Sequence, residues 1–102
     1  MPDLNDYRAE IDAIDTEITR LFEKRMNVIR QVTEYKRAHN MPVLQAAREA
    51  VVLEKAVARL ENPAYANGVR TLFETLMAIS RASQHESLAQ DVIKTEPKER
   101  TL

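Results

Sequence analysis

Apolar residues recur along the first forty positions in alternating steps of three and four: Leu4, Tyr7, Ile11, Ile14, Ile18, Leu21, then Arg25, and again Val28, Val32 and Tyr35. This 3.5-residue repeat predicts one amphipathic helix over residues 4–39. No Gly or Pro lies between Pro2 and Pro42, Asp3 or Asn5 can cap the entry, and His39-Asn40 with Pro42 closes the exit. At about 1.5 Å per residue the helix extends roughly 54 Å, whereas a small domain is only about 30 Å across. One copy of the chain cannot cover it. A second copy of the same helix is the simplest cover, which predicts a homodimer with two-fold closure.

Beyond the Asn40-Met41-Pro42 break a second helix is predicted from about Gln45 to Glu61, with Ala47, Ala50, Val51, Val57, Ala58 and Leu60 as its apolar face. Asn62-Pro63 ends it, because the residue before a proline is pushed out of the helical region. A third helix follows from about Ala64 to Glu86, carrying Tyr65, Val69, Leu72, Phe73, Leu76 and Met77, with Asn67-Gly68 weakening its first turn. From about Ser87 the period is lost. The expected organisation is an all-α, three-helix domain over residues 1–88 and a polar, disordered tail over 89–102. No segment alternates with strand period.

A length of 102 residues leaves little private core, which again favours association. The net charge of -1 argues against a protein that coats nucleic acid, so any cationic site must be local. The absence of Cys excludes disulfides, thiolate catalysis and thiolate metal sites. Neither a leader-like start nor an apolar run of membrane-spanning length is present, so a cytoplasmic, soluble protein without membrane contact is expected.

Arg25 interrupts the apolar seam, where a guanidinium either fixes helix register or meets a buried anion. Lys36 lies 11 residues later on the same face, about 16 Å along, and leans back toward the helix N-terminus. It either snorkels into solvent or points into a pocket with Arg25. Arg8 is about 25 Å from Arg25, too far for both to hold one small molecule within a subunit, although an antiparallel partner would bring its own Arg8 near the other end. Arg48-Glu49 follows the Pro42 turn and is either a local ion pair or part of a site. On the third helix the inward stripe passes from Phe73 and Met77 to Ser80 and Gln84, so polar groups replace apolar ones on the core side. His39 and His85 have no metal-binding spacing, and Ser80 has no activating base, so neither a metal nor a cofactor is expected.

In this order and spacing, Arg8, Asp15, Arg25, Lys36, Pro42-Val43, Arg48-Glu49, Ser80 and Gln84 resemble the all-helical, type II chorismate mutase family, over about residues 4–86. The resemblance implies three helices per chain intertwined into a homodimer with two active sites, each completed by an arginine of the neighbouring subunit. It implies that the partner's Arg8 and Arg25 hold substrate carboxylates with help from Arg48 and Ser80. By the same resemblance, Lys36 and Gln84 donate to the ether oxygen of the breaking bond and Glu49 accepts the ring hydroxyl. Gln45 stands where the family often has an aspartate close to that hydroxyl. The segment between the second helix and Phe73 is about one residue shorter than is usual in the family.

The implied reaction is the unimolecular conversion of chorismate to prephenate, in which a C–O bond breaks as a C–C bond forms. It needs no metal, covalent intermediate or obligatory proton transfer. Two other readings compete with it: an isochorismate pyruvate-lyase built on a similar cationic helical pocket, and a non-enzymatic helical dimerisation module in which Arg25 only sets register. A helix-turn-helix DNA binder is disfavoured by the charge balance and by the length of the first helix.

Overall fold

The computed structural model describes residues 1–95, and side-chain surroundings as far as Gln90. It is all-helical. The order is α1 (Leu4–Ala38), α2 (Ala46–Ala58), a 3-10 turn (Pro63–Tyr65) and α3 (Ala66–Thr95).

Helix α1 begins in a reciprocal cap: the Asp3 side chain accepts from the Asp6 amide at 3.0 Å, and the Asp6 side chain accepts from the Asp3 amide at 2.9 Å. It ends in a Schellman turn. Asn40 adopts the left-handed conformation, φ 53°, its amide reaches the Arg37 carbonyl, and the Met41 amide reaches the Lys36 carbonyl at 2.9 Å. Asparagine tolerates this conformation better than other non-glycine residues. The turn folds residues 41–45 back across the end of α1, and this return places Val43 beside Lys36.

The apolar face of α2 is rotated from the one expected. Val52, Leu53, Ala56, Val57 and Leu60 turn inward, while Ala47, Ala50, Val51 and Ala58 are exposed. Helix α2 also stops at Ala58, three residues short of Glu61, and Asn62 instead caps the 3-10 turn by accepting from the Ala64 amide at 2.9 Å. Helix α3 starts two residues after Ala64 and accommodates Gly68 within its first turn. It then continues nine residues past Glu86 to Thr95, so the polar tail expected from residue 89 is helical through 95. No Gly or Pro occurs between Gly68 and Pro97 to stop it. The expectation for residues 96–102 lies outside the described residues.

Both α1 and α2 pack on α3. Helix α1 meets its own chain through Phe22, Arg25, Met26, Ile29, Val32, Thr33 and Lys36, and residues 1–21 are exposed throughout. The seam read from the sequence is therefore largely uncovered: Leu4, Tyr7, Ile11, Ile14, Ile18, Leu21, Val28 and Tyr35 are each at least half exposed. The private core is thin. Among the described residues only Val43, Ala56 and Met77 are buried apolar side chains, and the chain extends 69 × 32 × 17 Å. No described helix is long and apolar enough to cross a membrane.

Candidate active site

The C-terminal half of α1, the start of α2 and the middle of α3 enclose a cleft of about 340 Å³. That volume suits a small organic ligand. The cleft gathers Arg25, Lys36, Gln45, Arg48, Glu49, Ser80 and Gln84, over a floor that includes Val32, Val43, Val52 and Met77. Arg8, the remaining candidate from the sequence, is exposed on the first turns of α1 and does not line it.

Lys36 is fixed by two acceptors. Its Nζ donates to the Val43 carbonyl at 2.7 Å and to Gln84 Oε1 at 3.0 Å. An ammonium has three protons to donate, so one remains for a ligand. Because Lys36 only donates, it pins the Gln84 amide with its oxygen toward the ammonium and its NH2 available to the cleft. Gln84 is 4% exposed, so this orientation is set inside the protein. Burial lowers the Lys36 pKa from its ordinary value, and the nearby Glu49 carboxylate partly offsets the shift.

Arg25 does not extend into bulk water. It donates from Nη1 to Ser80 Oγ at 2.6 Å, and Ser80 in turn donates to the Leu76 carbonyl at 2.8 Å. The Ser80 proton is thus committed to backbone, and in this arrangement Ser80 orients Arg25. Burial lowers the guanidinium pKa, but Arg25 stays charged across the working range. Its other N–H groups can serve an anion.

Gln45 precedes α2 without capping it; its Nε2 donates to the Pro42 carbonyl at 3.0 Å, which ties the return loop together. Arg48 is exposed at the rim. Glu49 accepts from Arg81 Nη1 at 2.5 Å, joining α2 to α3 across the cleft. Nothing in the sequence marks Arg81, since its partner lies 32 residues away and only the packing of α2 on α3 brings them together.

The cleft therefore sets four cations, Arg25, Lys36, Arg48 and Arg81, against one carboxylate in a chain whose net charge is -1. Such a surplus can hold an anion of more than one charge, and Lys36 Nζ and the Gln84 NH2 stand beside it as donors in the same cleft. Among the described residues no cluster of His, Cys, Asp or Glu could hold a metal ion.

Residues 7–85 match the family described as chorismate mutase type II. The chain is 39% identical over 54 residues to the T-protein of Haemophilus influenzae, a match covering 53% of this chain and 14% of that protein. It is 37% identical over 65 residues to a bifunctional chorismate mutase/prephenate dehydratase of Aquifex aeolicus, covering 64% of this chain and 18% of the relative. A bifunctional chorismate mutase/prephenate dehydratase of Buchnera aphidicola is 32% identical over 92 residues, covering 86% of this chain and 24% of the relative. The chain thus spans at most about a quarter of the length of these curated relatives. No solved structure matches it significantly.

Proposed function

The chain belongs to the type II chorismate mutase family, and from that membership we propose that it catalyses the rearrangement of chorismate to prephenate, a step of aromatic amino acid biosynthesis. The observation that carries the proposal is the Lys36–Gln84 pair, held inside a cleft of surplus positive charge with one free donor on each member. Chorismate is a dianion, and its rearrangement gathers negative charge on the ether oxygen as the C–O bond lengthens. In this reading Lys36 and Gln84 donate to that oxygen. Arg25, oriented by Ser80, and Arg48 hold the carboxylates, Glu49 accepts the ring hydroxyl, and Gln45 shapes the wall nearby.

The magnitudes are sufficient. A millionfold acceleration requires about 8 kcal/mol of barrier reduction. One preorganised donor to developing charge contributes about 2.7 to 4 kcal/mol, so the pair supplies a large share, and holding the substrate in its compact reactive conformation supplies the rest. All atoms of the substrate are retained in the product, which suits a site offering donors and cations but no activated nucleophile.

The proposal includes a homodimer that completes each site with the partner subunit's Arg8. Its support is the uncovered stripe from Leu4 to Tyr35, which is too long and apolar to be left in water, and the absence of Arg8 from its own chain's cleft. The proposal also places the protein in the cytoplasm, which fractionation tests. Purified protein incubated separately with chorismate and isochorismate, with products identified by NMR, tests the reaction. Prephenate from the first is the expected result; pyruvate release from the second alone assigns the lyase instead, and no turnover of either removes the enzyme reading.

A further inference from the structure

Glu49 raises a problem that its position alone does not solve. Glu49 and Lys36 line the same cleft, and the carboxylate opposes the effect of burial on the ammonium. Lys36 already donates two of its N–H groups, to Val43 and Gln84. If Glu49 took the third, the donor that the rearrangement needs would be occupied, and Glu49 would be turned away from the substrate.

Arg81 already holds that carboxylate. It follows Ser80 on α3, one side-chain direction away from the residue that orients Arg25, and its Nη1 donates to Glu49 Oε1 at 2.5 Å. Both side chains are partly shielded, with 32% and 24% of their surfaces exposed for Arg81 and Glu49 respectively, so the contact is not an open surface pair. An ionised carboxylate accepts through two oxygens. With Oε1 taken from the α3 side, Oε2 is left for a ligand.

We propose that Arg81 is a positioning residue of the cleft: by holding Oε1 of Glu49 it keeps the carboxylate off Lys36 and presents Oε2 to the hydroxyl of the bound substrate. The role rests on the chorismate reading above. It assigns Arg81 no contact with the substrate carboxylates, although it is one of the four cations in the cleft.

The test is a double-substitution cycle with Arg81→Gln, Glu49→Gln and the pair together, plus Arg81→Lys, with melting temperatures confirming that each variant folds. Arg81→Gln is expected to lower kcat about ten- to hundredfold with a smaller change in KM, a loss typical of displaced catalytic geometry. In the Glu49→Gln background the same change should cost less than about threefold, because the carboxylate it manages is gone. Arg81→Lys, which retains a point charge, should recover most of kcat. Equal factors in both backgrounds, or a rise confined to KM, would mean that Arg81 binds substrate directly and would overturn the proposal.

A readout independent of turnover separates this from the enzyme reading. In ligand-free protein the Arg81 guanidinium should show slowed rotation by NMR that Glu49→Gln abolishes. Free rotation in the unsubstituted protein overturns the ion pair whatever the activity. Slowed rotation in a protein that leaves chorismate unchanged overturns the enzyme reading and, with it, the catalytic role of the pair.

Discussion

Mixing two impaired variants offers the sharpest test of a shared site. Arg8 and Arg25 are separated along α1 by about 25 Å, and Arg8 is absent from the cleft of its own chain. Suppose the partner subunit supplies it. A dimer formed between an Arg8→Ala chain and a Lys36→Ala chain then holds one site with both residues intact and one site lacking both. Random exchange makes half of the dimers mixed, so about a quarter of all sites regain the full set. Lys36→Ala alone should lose about a hundred- to thousandfold, the cost of one donor to developing charge. Arg8→Ala should lose about ten- to hundredfold at low substrate, the cost of one charge-assisted hydrogen bond. Equal amounts of the two, exchanged to completion as verified by native mass spectrometry, should therefore rise to about a quarter of unsubstituted activity. A rate that stays at the mean of the two parents after complete exchange refutes the sharing of Arg8.

Three further outcomes are expected. Since kcat/KM reports the free protein and only the charged Lys36 ammonium has a third N–H beyond the two given to Val43 and Gln84, kcat/KM should fall as pH rises through its lowered pKa, with a midpoint below the ordinary 10.5; Lys36→Arg should abolish this limb, and a midpoint at or above 10.5 refutes the desolvation argument. Ile14→Glu puts a charge in each copy of the stripe, where the isoleucine is 58% exposed, and should weaken the dimer at least about a hundredfold by analytical ultracentrifugation; unchanged association would place the dimer contact elsewhere. Gln45→Asp supplies the missing cap of α2 and should add about 1 kcal/mol, or about 4–8 °C in melting temperature for a domain of this size; no gain would show that the Pro42 contact of Gln45 is worth as much as a cap.

Helix α1 was legible almost to the residue because its repeat is long and its ends carry a capping aspartate and an asparagine that turns left-handed. Helix α2 was harder. Alanines on several sides give a weak facing signal, and the inward choice of Ala56 over Ala58 is made by α3, which local pattern does not encode. The extent of α3 past Glu86 is not legible in the pattern, because the amphipathic period ends there while helix-compatible residues continue to Thr95. The polar steps at Ser80 and Gln84 were readable because the apolar positions before them set the phase, and both are 4% exposed. The hydrogen bonds that give them meaning, to Arg25 and Lys36, were not readable, nor was Arg81. These depend on pairs brought together from distant parts of the chain, and periodicity carries no information about them.

The bare outer edge of α1 has a consequence for how this sequence can change. In the proposed two-fold dimer every position along it occurs twice, so one altered codon perturbs two contacts at once, and a mild defect is doubled. Tolerance to drift should therefore be lowest on a surface that the isolated chain leaves largely uncovered.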